Sequence, residues 1–288
     1  MRRRTPPRLA LLVLPLLLVG AGSALAAGNA RVAALQVALR AQGVYSGPVD
    51  GVDGAGTRAA VVSLQRRHRL TVDGVAGPRT RRVLGKLGRH RLGSRVLRSG
   101  AIGWDVAELQ FELAWHGFPS GAFDGVLGAH TAGALRRFQR WAGIHVDGRA
   151  GAATLSALAA PPPACPLSLR QPLDGTLGDG FGPRGDRFHA GIDLVAPLGT
   201  PVHAAAPGYV AWAAPRDGWG LLVVVAHTDG VRTFYAHLSR IGVRLGAHVA
   251  TGEPLGLVGA TGDATGPHLH FEVRVRGAAV NPLSCLSR

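Results

Sequence analysis

Residues 32–84 and 106–158 align without a gap at an offset of 74, and 24 of the 53 aligned positions are identical. Chance does not produce that agreement, so the first half of the chain is a tandem duplication of one small unit. The identities cluster: Leu35-Gln36 with Leu109-Gln110, Asp50-Gly51-Val52 with Asp124-Gly125-Val126, Thr57 with Thr131, Gln65-Arg66 with Gln139-Arg140, Val72-Asp73-Gly74 with Val146-Asp147-Gly148. Each copy reads as three short helices. In the first copy Val32, Leu35 and Leu39 share one helical face. Asp50-Gly51 makes a turn, and Thr57 is placed to cap a second helix that buries Val61 and Leu64. After a second turn at Asp73-Gly74, Pro78 or Thr80 opens a third helix with Val83 and Leu84 inside. So small a unit has a thin core. It clusters no acids, bases and nucleophiles, so it is expected to bind rather than to catalyse.

What flanks the repeat narrows the setting. Residues 1–27 hold Arg2-Arg3-Arg4, an apolar run from Leu9 to Val19 and Ala24-Leu25-Ala26. That is the pattern of a signal peptide cleaved near Ala26–Ala27, with a hydrophobic run short for a membrane span. The mature protein is expected to be secreted or held at the cell wall, with no stable membrane anchor after cleavage. Residues 28–160 carry 18 basic and 8 acidic residues, whereas 161–288 carry 10 and 9. The excess positive charge therefore belongs to the repeats and favours an anionic partner. Export argues against nucleic acid as that partner. Only two cysteines occur, Cys165 and Cys285. In an oxidising compartment such a pair is read as a disulfide closing a long loop, the alternative being two separate buried thiols.

After Cys165 the pattern turns to β. Val202–Trp212, Leu221–Ala226, Val231–His237, Val249–Gly259 and His268–Val275 read as at least five strands, with a turn at His227-Thr228-Asp229-Gly230. His268 and His270 lie two apart on the last of these, so both imidazoles face one side. His189 and Asp193 lie four apart, which in an extended stretch again gives one face. His237 closes the segment Tyr235-Ala236-His237-Leu238. Two histidines, one aspartate and an open position make a catalytic zinc site, whereas hard oxygen-seeking ions do not select imidazole. His227, at the turn, is expected to bond locally. Glu272 is expected to be a surface strand acid, with support of His270 as the alternative. The loop Gly259–Gly266 is either a wall of the cleft or an ordinary connection. Arg184-Gly185-Asp186 is read as a chance tripeptide.

Two resemblances carry these readings further. V-x-x-L-Q-x-x-L, then D-G-x-x-G-x-x-T, then V-D-G-x-x-G-x-x-T resembles the peptidoglycan-binding module, a three-helix domain of wall hydrolases. It covers roughly 29–87 and 103–160, in versions rich in arginine. Gln65 and Gln139, taken as exposed, and the Asp-Gly loops are either ligand contacts or turn and capping residues. The second resemblance rests on G-P-R at 182–184, H-A-G-I-D at 189–193, G-T-P-V-H-A-A-A-P-G-Y-V at 199–210, T-F-Y-A-H-L at 233–238 and T-G-P-H-L-H-F-E at 265–272. This text is similar to the lysostaphin/LytM-type zinc endopeptidases, and departs from them in its short segment between Arg184 and His189. The resemblance implies His189, Asp193 and His270 as zinc ligands, with one Zn2+ per domain. It implies His237 and His268 as unligated catalytic histidines, without deciding which is the general base.

The expected architecture is multidomain: two small three-helix all-α modules followed by an all-β antiparallel-sheet zinc peptidase domain. The boundaries are a signal peptide 1–27, module one 28–87, a linker 88–102, module two 103–160, a proline-rich linker 161–166 and the peptidase domain 167–288. The expected function is that of a secreted, monomeric hydrolase tethered to peptidoglycan and cutting its peptide cross-links or bridges. The rivals are a non-catalytic wall protein that activates another hydrolase, and a zinc D-Ala-D-Ala carboxypeptidase.

Overall fold

A computed structural model describes residues 28–287; the expected signal peptide lies outside the described residues. Among those residues are six α-helices, three in each copy of the repeat: α1 Ala30–Ala41, α2 Ala55–Arg67, α3 Pro78–Val83, α4 Trp104–Trp115, α5 Ala129–Trp141 and α6 Ala152–Leu158. A single 3₁₀ turn, Gly85–Gly88, follows α3. None of these helices is long and apolar enough to cross a membrane. The side chain of Asn29 accepts from the Arg31 and Val32 amides and starts α1, and Pro78 stands in the first turn of α3, where it needs no amide partner.

Thr57 does not cap α2. It sits inside the first turn, and its hydroxyl bonds the Val52 carbonyl and the side chain of Gln36. Gln65 and Gln139, expected to be exposed, are 1% accessible. They belong to a device used four times. Gln36, Gln65, Gln110 and Gln139 each donate to an aspartate and to a threonine hydroxyl of a D-G-x-x-G-x-x-T stretch. Each also accepts from the amide of the intervening glycine, Gly51, Gly74, Gly125 or Gly148. Those four glycines sit at φ between 70° and 72°, a conformation that disfavours a side chain. A buried amide with every group paired is how so thin a core fixes its loops.

Helix α4 is apolar on two faces. Val106, Leu109 and Leu113 join Leu135 and Phe138 in the core of the second module. Trp104, Ala107, Phe111 and Ala114 lie in a different core together with residues of α1, its counterpart in the first copy, against which it packs. The two modules therefore meet through equivalent helices. The segment 88–102, expected to be a linker, is folded onto the second module. Leu97 is 1% accessible and exchanges two backbone hydrogen bonds with Ala150, while Arg95 pairs with buried Asp105 at 2.7 Å. Polar, glycine-rich composition suggested a free connection, and one buried leucine with one ion pair overrides it.

The rest of the chain is β: β1 Thr176–Leu177, β2 Gly182–Arg184, β3 Arg187–His189, β4 Ile192–Val195, β5 Pro201–His203, β6 Gly208–Arg216, β7 Gly220–Ala226, β8 Val231–Leu238, β9 Arg240–Ile241, β10 His248–Val249, β11 Pro254–Leu257, β12 His268–Val275 and β13 Ala278–Val280. One antiparallel sheet runs β1-β4-β12-β8-β7-β6-β10, with β13 also paired to β12; β5-β11-β9 form a second sheet and β2–β3 a separate hairpin. Two expected strands are divided. Val202–Trp212 breaks at residues 204–207, and Val249–Gly259 splits between β10 of the main sheet and β11 of the smaller one. β7 alternates Val223 and Val225 into the main core with Leu222 and Val224 into a smaller cluster beside Trp219, so the centre of the sheet is buried on both faces. Cys165 and Cys285 form a disulfide across 120 residues, beside the Leu169–Leu286 bridge that closes the domain on itself.

Candidate metal centre

β12 is central because it lies between β4 and β8. In this register His270 stands opposite Asp193 on one neighbour and Ala236 on the other. Directly opposed residues share a face, so Asp193 and His270 meet, with His268 and Glu272 on that face at period two. His189 arrives differently. His189 and Asp193 do not lie on one extended stretch: His189 ends β3 of the hairpin, Asp193 lies on β4 of the main sheet, and Ala190-Gly191 form the corner between them. A Cβ at Gly191 would collide with the Phe271 carbonyl and the His270 ring, so the corner can pass this close to β12 only as glycine.

Three donor atoms converge. His189 Nε2 lies 2.9 Å from His270 Nδ1 and 3.1 Å from Asp193 Oδ1, and His270 Nδ1 lies 2.8 Å from Asp193 Oδ1. All three residues are buried. The His189 Nδ1–H donates to the Gly180 carbonyl at 2.9 Å, which leaves the Nε2 lone pair facing the others. Arg184 reaches the second carboxylate oxygen of Asp193 at 3.3 Å and Asp179 at 3.1 Å, so Oδ1 is the oxygen turned to the imidazoles. Burial opposes ionisation of Asp193, but the neighbouring His189 and His270 side chains outweigh it and hold the carboxyl well below the usual range. Burial pulls His270 down, yet its bonds to Asp193 and Glu272 win and push it up to about 9.

Glu272 does not lie at the surface. It was expected at the surface, but it is 3% accessible, accepts from His270 Nε2 at 3.2 Å and pairs with Arg274 at 2.6 Å. Burial raises its pKa, and the Arg274 guanidinium, followed by His270, lowers it overall. Arg274 also lies over the Phe234 and Trp219 rings.

The two remaining histidines stand beside the triangle. The His237 ring centroid is 4.8 Å from that of His268 and 5.9 Å from that of His270. Ala236 shares the His270 face, so regular alternation would turn His237 away. Its φ of +61° breaks the alternation at the end of β8 and brings the ring back. His237 Nδ1–H donates to the Thr261 carbonyl at 2.7 Å and His268 Nδ1–H to the Gly266 carbonyl at 2.8 Å, so both present Nε2 as acceptors. Burial lowers the His237 pKa, partly offset by the Thr261 carbonyl. Thr261 and Gly266 belong to the loop 259–266, which is thus a wall of the cleft. A cavity of about 700 Å³ is lined by Asp179, Arg184, Asp193, His237, Asp263 and His268, and a second of about 380 Å³ opens on the side of Arg187, Phe188 and Trp219.

His227 bonds locally, to the Pro207 carbonyl and Thr233. The Arg184-Gly185-Asp186 tripeptide is the turn of the β2–β3 hairpin, with Arg184 committed to the two aspartates. Sequence reasoning missed the contributions of Arg184, Trp219 and Thr261. Arg184 stood in a quoted motif, and Trp219, 5.5 Å from the His270 ring, carried no signal of its own. A cleft of about 620 Å³ between the modules holds Glu108 and Glu112, but Glu108 is taken up by the Trp104 indole and the Leu92 amide.

Comparison with known proteins finds two families. Residues 187–282 match the model of peptidase family M23, and residues 28–84 and 103–158 match a putative peptidoglycan binding domain. The chain is 49% identical over 98 residues to the DD-carboxypeptidase/endopeptidase Mpg of Neisseria meningitidis, which covers 34% of this chain and 23% of that protein. It is 43% identical over 95 residues to the peptidoglycan DD-endopeptidase ShyA of Vibrio cholerae, covering 33% and 22%. The chain thus spans under a quarter of the length of these relatives. The catalytic domain of lysostaphin from Staphylococcus simulans aligns at 33% identity over 38% of this chain and 90% of that domain, with a TM-score of 0.37. The chain therefore carries a peptidase family M23 domain joined to two putative peptidoglycan binding domains.

Proposed function

We propose that this protein is an exported zinc endopeptidase that cuts peptide cross-links or bridges of peptidoglycan. In this reading His189, Asp193 and His270 hold the metal, His237 and His268 are the catalytic histidines, and the helical modules hold the enzyme on the wall. The observation that carries it is the buried triangle of two imidazole nitrogens and one carboxylate oxygen with edges of 2.8–3.1 Å. Those edges come near the roughly 3.3 Å that separates donors around a tetrahedral zinc ion, and the donor set suits zinc rather than calcium. Zinc bound there would supply Lewis acidity to the scissile carbonyl and to water.

The chain's own groups do the rest. His237, held neutral by burial, accepts a proton at Nε2. His268 Nε2, 3.8 Å from Asp193, is a second acceptor, and only once protonated to the imidazolium would it pass that proton to the departing amine or donate to developing oxyanion charge. Arg184 and Glu272 keep Asp193 and His270 oriented. The names of the relatives, DD-endopeptidase and DD-carboxypeptidase/endopeptidase, support a target in the peptide part of the wall. The excess of arginine on the modules, with Arg66, Arg67, Arg79 and Arg82 exposed, supports retention by an anionic wall. The signal-like residues 1–27 and the disulfide support export.

The test is purified peptidoglycan incubated with the protein, with and without chelator. New peptide amines are expected, lost with chelator and restored by zinc. No chelator-sensitive release would leave the non-catalytic activator as the reading. Release of terminal alanine alone, seen by product mass, would make the protein a carboxypeptidase.

A further inference from the structure

The hairpin that ends in His189 is gripped from outside the peptidase domain. Its turn offers two successive carbonyls. The Val49 amide donates to Gly185 at 2.8 Å and the Phe123 amide to Asp186 at 2.7 Å. Val49 and Phe123 are the same position of the repeat, 74 residues apart, and both are buried. The helices α1 and α4 that pair the modules are equivalents too. The hairpin therefore enters between the two copies and is bonded once by each.

A wedge lies behind this clasp. Trp115, the last residue of α4, packs edge-on against Phe188 at 5.3 Å and Phe181 at 6.3 Å, and those two rings meet at 4.9 Å. Phe188 immediately precedes His189 on β3, so the two side chains leave opposite faces of the strand. Packing on Phe188 thus fixes the strand from the side away from the imidazole. The first copy has Ala41 where the second has Trp115. A further bond, from the Ala279 amide to the Gly117 carbonyl at 3.0 Å, ties the same end of the module to β13.

We infer that the paired helical modules are a positioning device for the metal site, with Trp115 and the Val49 and Phe123 amides holding the strand that delivers His189. This rests on the zinc reading above. A tether needs only a linker, whereas these modules bond the catalytic hairpin itself. If they orient His189, metal binding and closure of the clasp must stabilise each other, because coupling between sites is reciprocal.

The test uses the full mature chain, stripped of metal and titrated with Zn2+. Zinc is expected to slow hydrogen exchange at the Val49 and Phe123 amides and to leave the hub amides of Gly74 and Gly148 unchanged. Trp115→Ala is expected to weaken zinc binding by about tenfold and to lower kcat on a soluble cross-linked muropeptide. KM and retention on peptidoglycan should stay within about twofold, the pattern of a lost transition-state contact, and Trp115→Phe should recover most of the loss. If zinc binds the wild type while both clasp amides exchange as before, the inference is overturned and the zinc reading stands. Wild-type zinc affinity in a folded Trp115→Ala would overturn it equally. Failure of the wild type to bind zinc would sink both. Should Trp115→Ala not fold, the exchange measurement on the wild type decides alone.

Discussion

His270 Nε2 lies 3.2 Å from Glu272 Oε1, and both side chains are buried. The carboxylate accepts the Nε2–H hydrogen bond, so Nδ1, the nitrogen nearest Asp193 and His189, is the one that would serve a metal after releasing its proton. Such outer partners of metal-binding histidines set ring orientation and basicity. Glu272→Gln keeps the shape but loses the charge that both His270 and Arg274 use. Zinc affinity is expected to fall by about 10–100-fold. Competition against a chromophoric chelator measures it, and an unchanged affinity would contradict this role for Glu272.

His268 and His270 should respond differently to removal, although they are neighbours on one face. His270→Ala deletes a donor of the triangle and is expected to lose stoichiometric zinc and activity together. His268→Ala removes a group 3.8 Å from Asp193 that no donor depends on. It is expected to keep its zinc and lose about 10²–10⁴-fold in kcat, the range for an acid–base group. Metal analysis beside turnover separates the cases, and a His268→Ala protein without zinc would make His268 a ligand.

Much of this was legible in the sequence because it rests on short-range rules. The repeat exposes itself by offset, and its Asp-Gly turns need a left-handed glycine wherever they stand. The pleat alone puts His268 and His270 on one face. What was not legible depends on contacts across the chain. The spacing of His189 and Asp193 gives a shared face only in an extended stretch, and a glycine corner beside β12 separates them instead. Glu272 looked like a surface acid because nothing local shows that Arg274 and His270 enclose it. Gln65 and Gln139 looked exposed because helix periodicity does not tell a solvated amide from one that fills a loop. The left-handed turn at His237 and the grip of the modules on the hairpin have no short-range signal.

The glutamine hubs carry a stability prediction of their own. Gln139 donates to Asp147, to the Arg149 carbonyl and to Thr154, and accepts from the Gly148 amide. Gln139→Ala leaves several of these buried groups unpaired. A loss of about 1–3 kcal/mol is expected for the second module. Zinc affinity should be unaffected, since the hub lies away from the clasp. Denaturant unfolding followed by tryptophan fluorescence reports the loss through Trp141, at the end of the same helix. An unaltered midpoint would mean that the amide is dispensable.

The same hubs set an acid limit. Backbone hydrogen bonds from Val75 and Arg149, with those from Gln65 and Gln139, hold Asp73 and Asp147 below the ordinary carboxylate value. A carboxylate whose folded pKa is depressed contributes stability that is complete above its unfolded pKa, near 3.8. That contribution is lost as pH falls through the lower folded value. The modules should therefore be indifferent to pH between about 5 and 7 on this account, and should weaken below about pH 4. An Asp73→Asn, Asp147→Asn double variant keeps the accepting oxygens and loses the charge. It is expected to melt lower than wild type at pH 6 and to show a shallower fall between pH 4 and pH 2.5. Thermal unfolding in chelator, with the metal site empty in both proteins, makes the comparison. Parallel melting curves across that window would show that these carboxylates are not what acid removes.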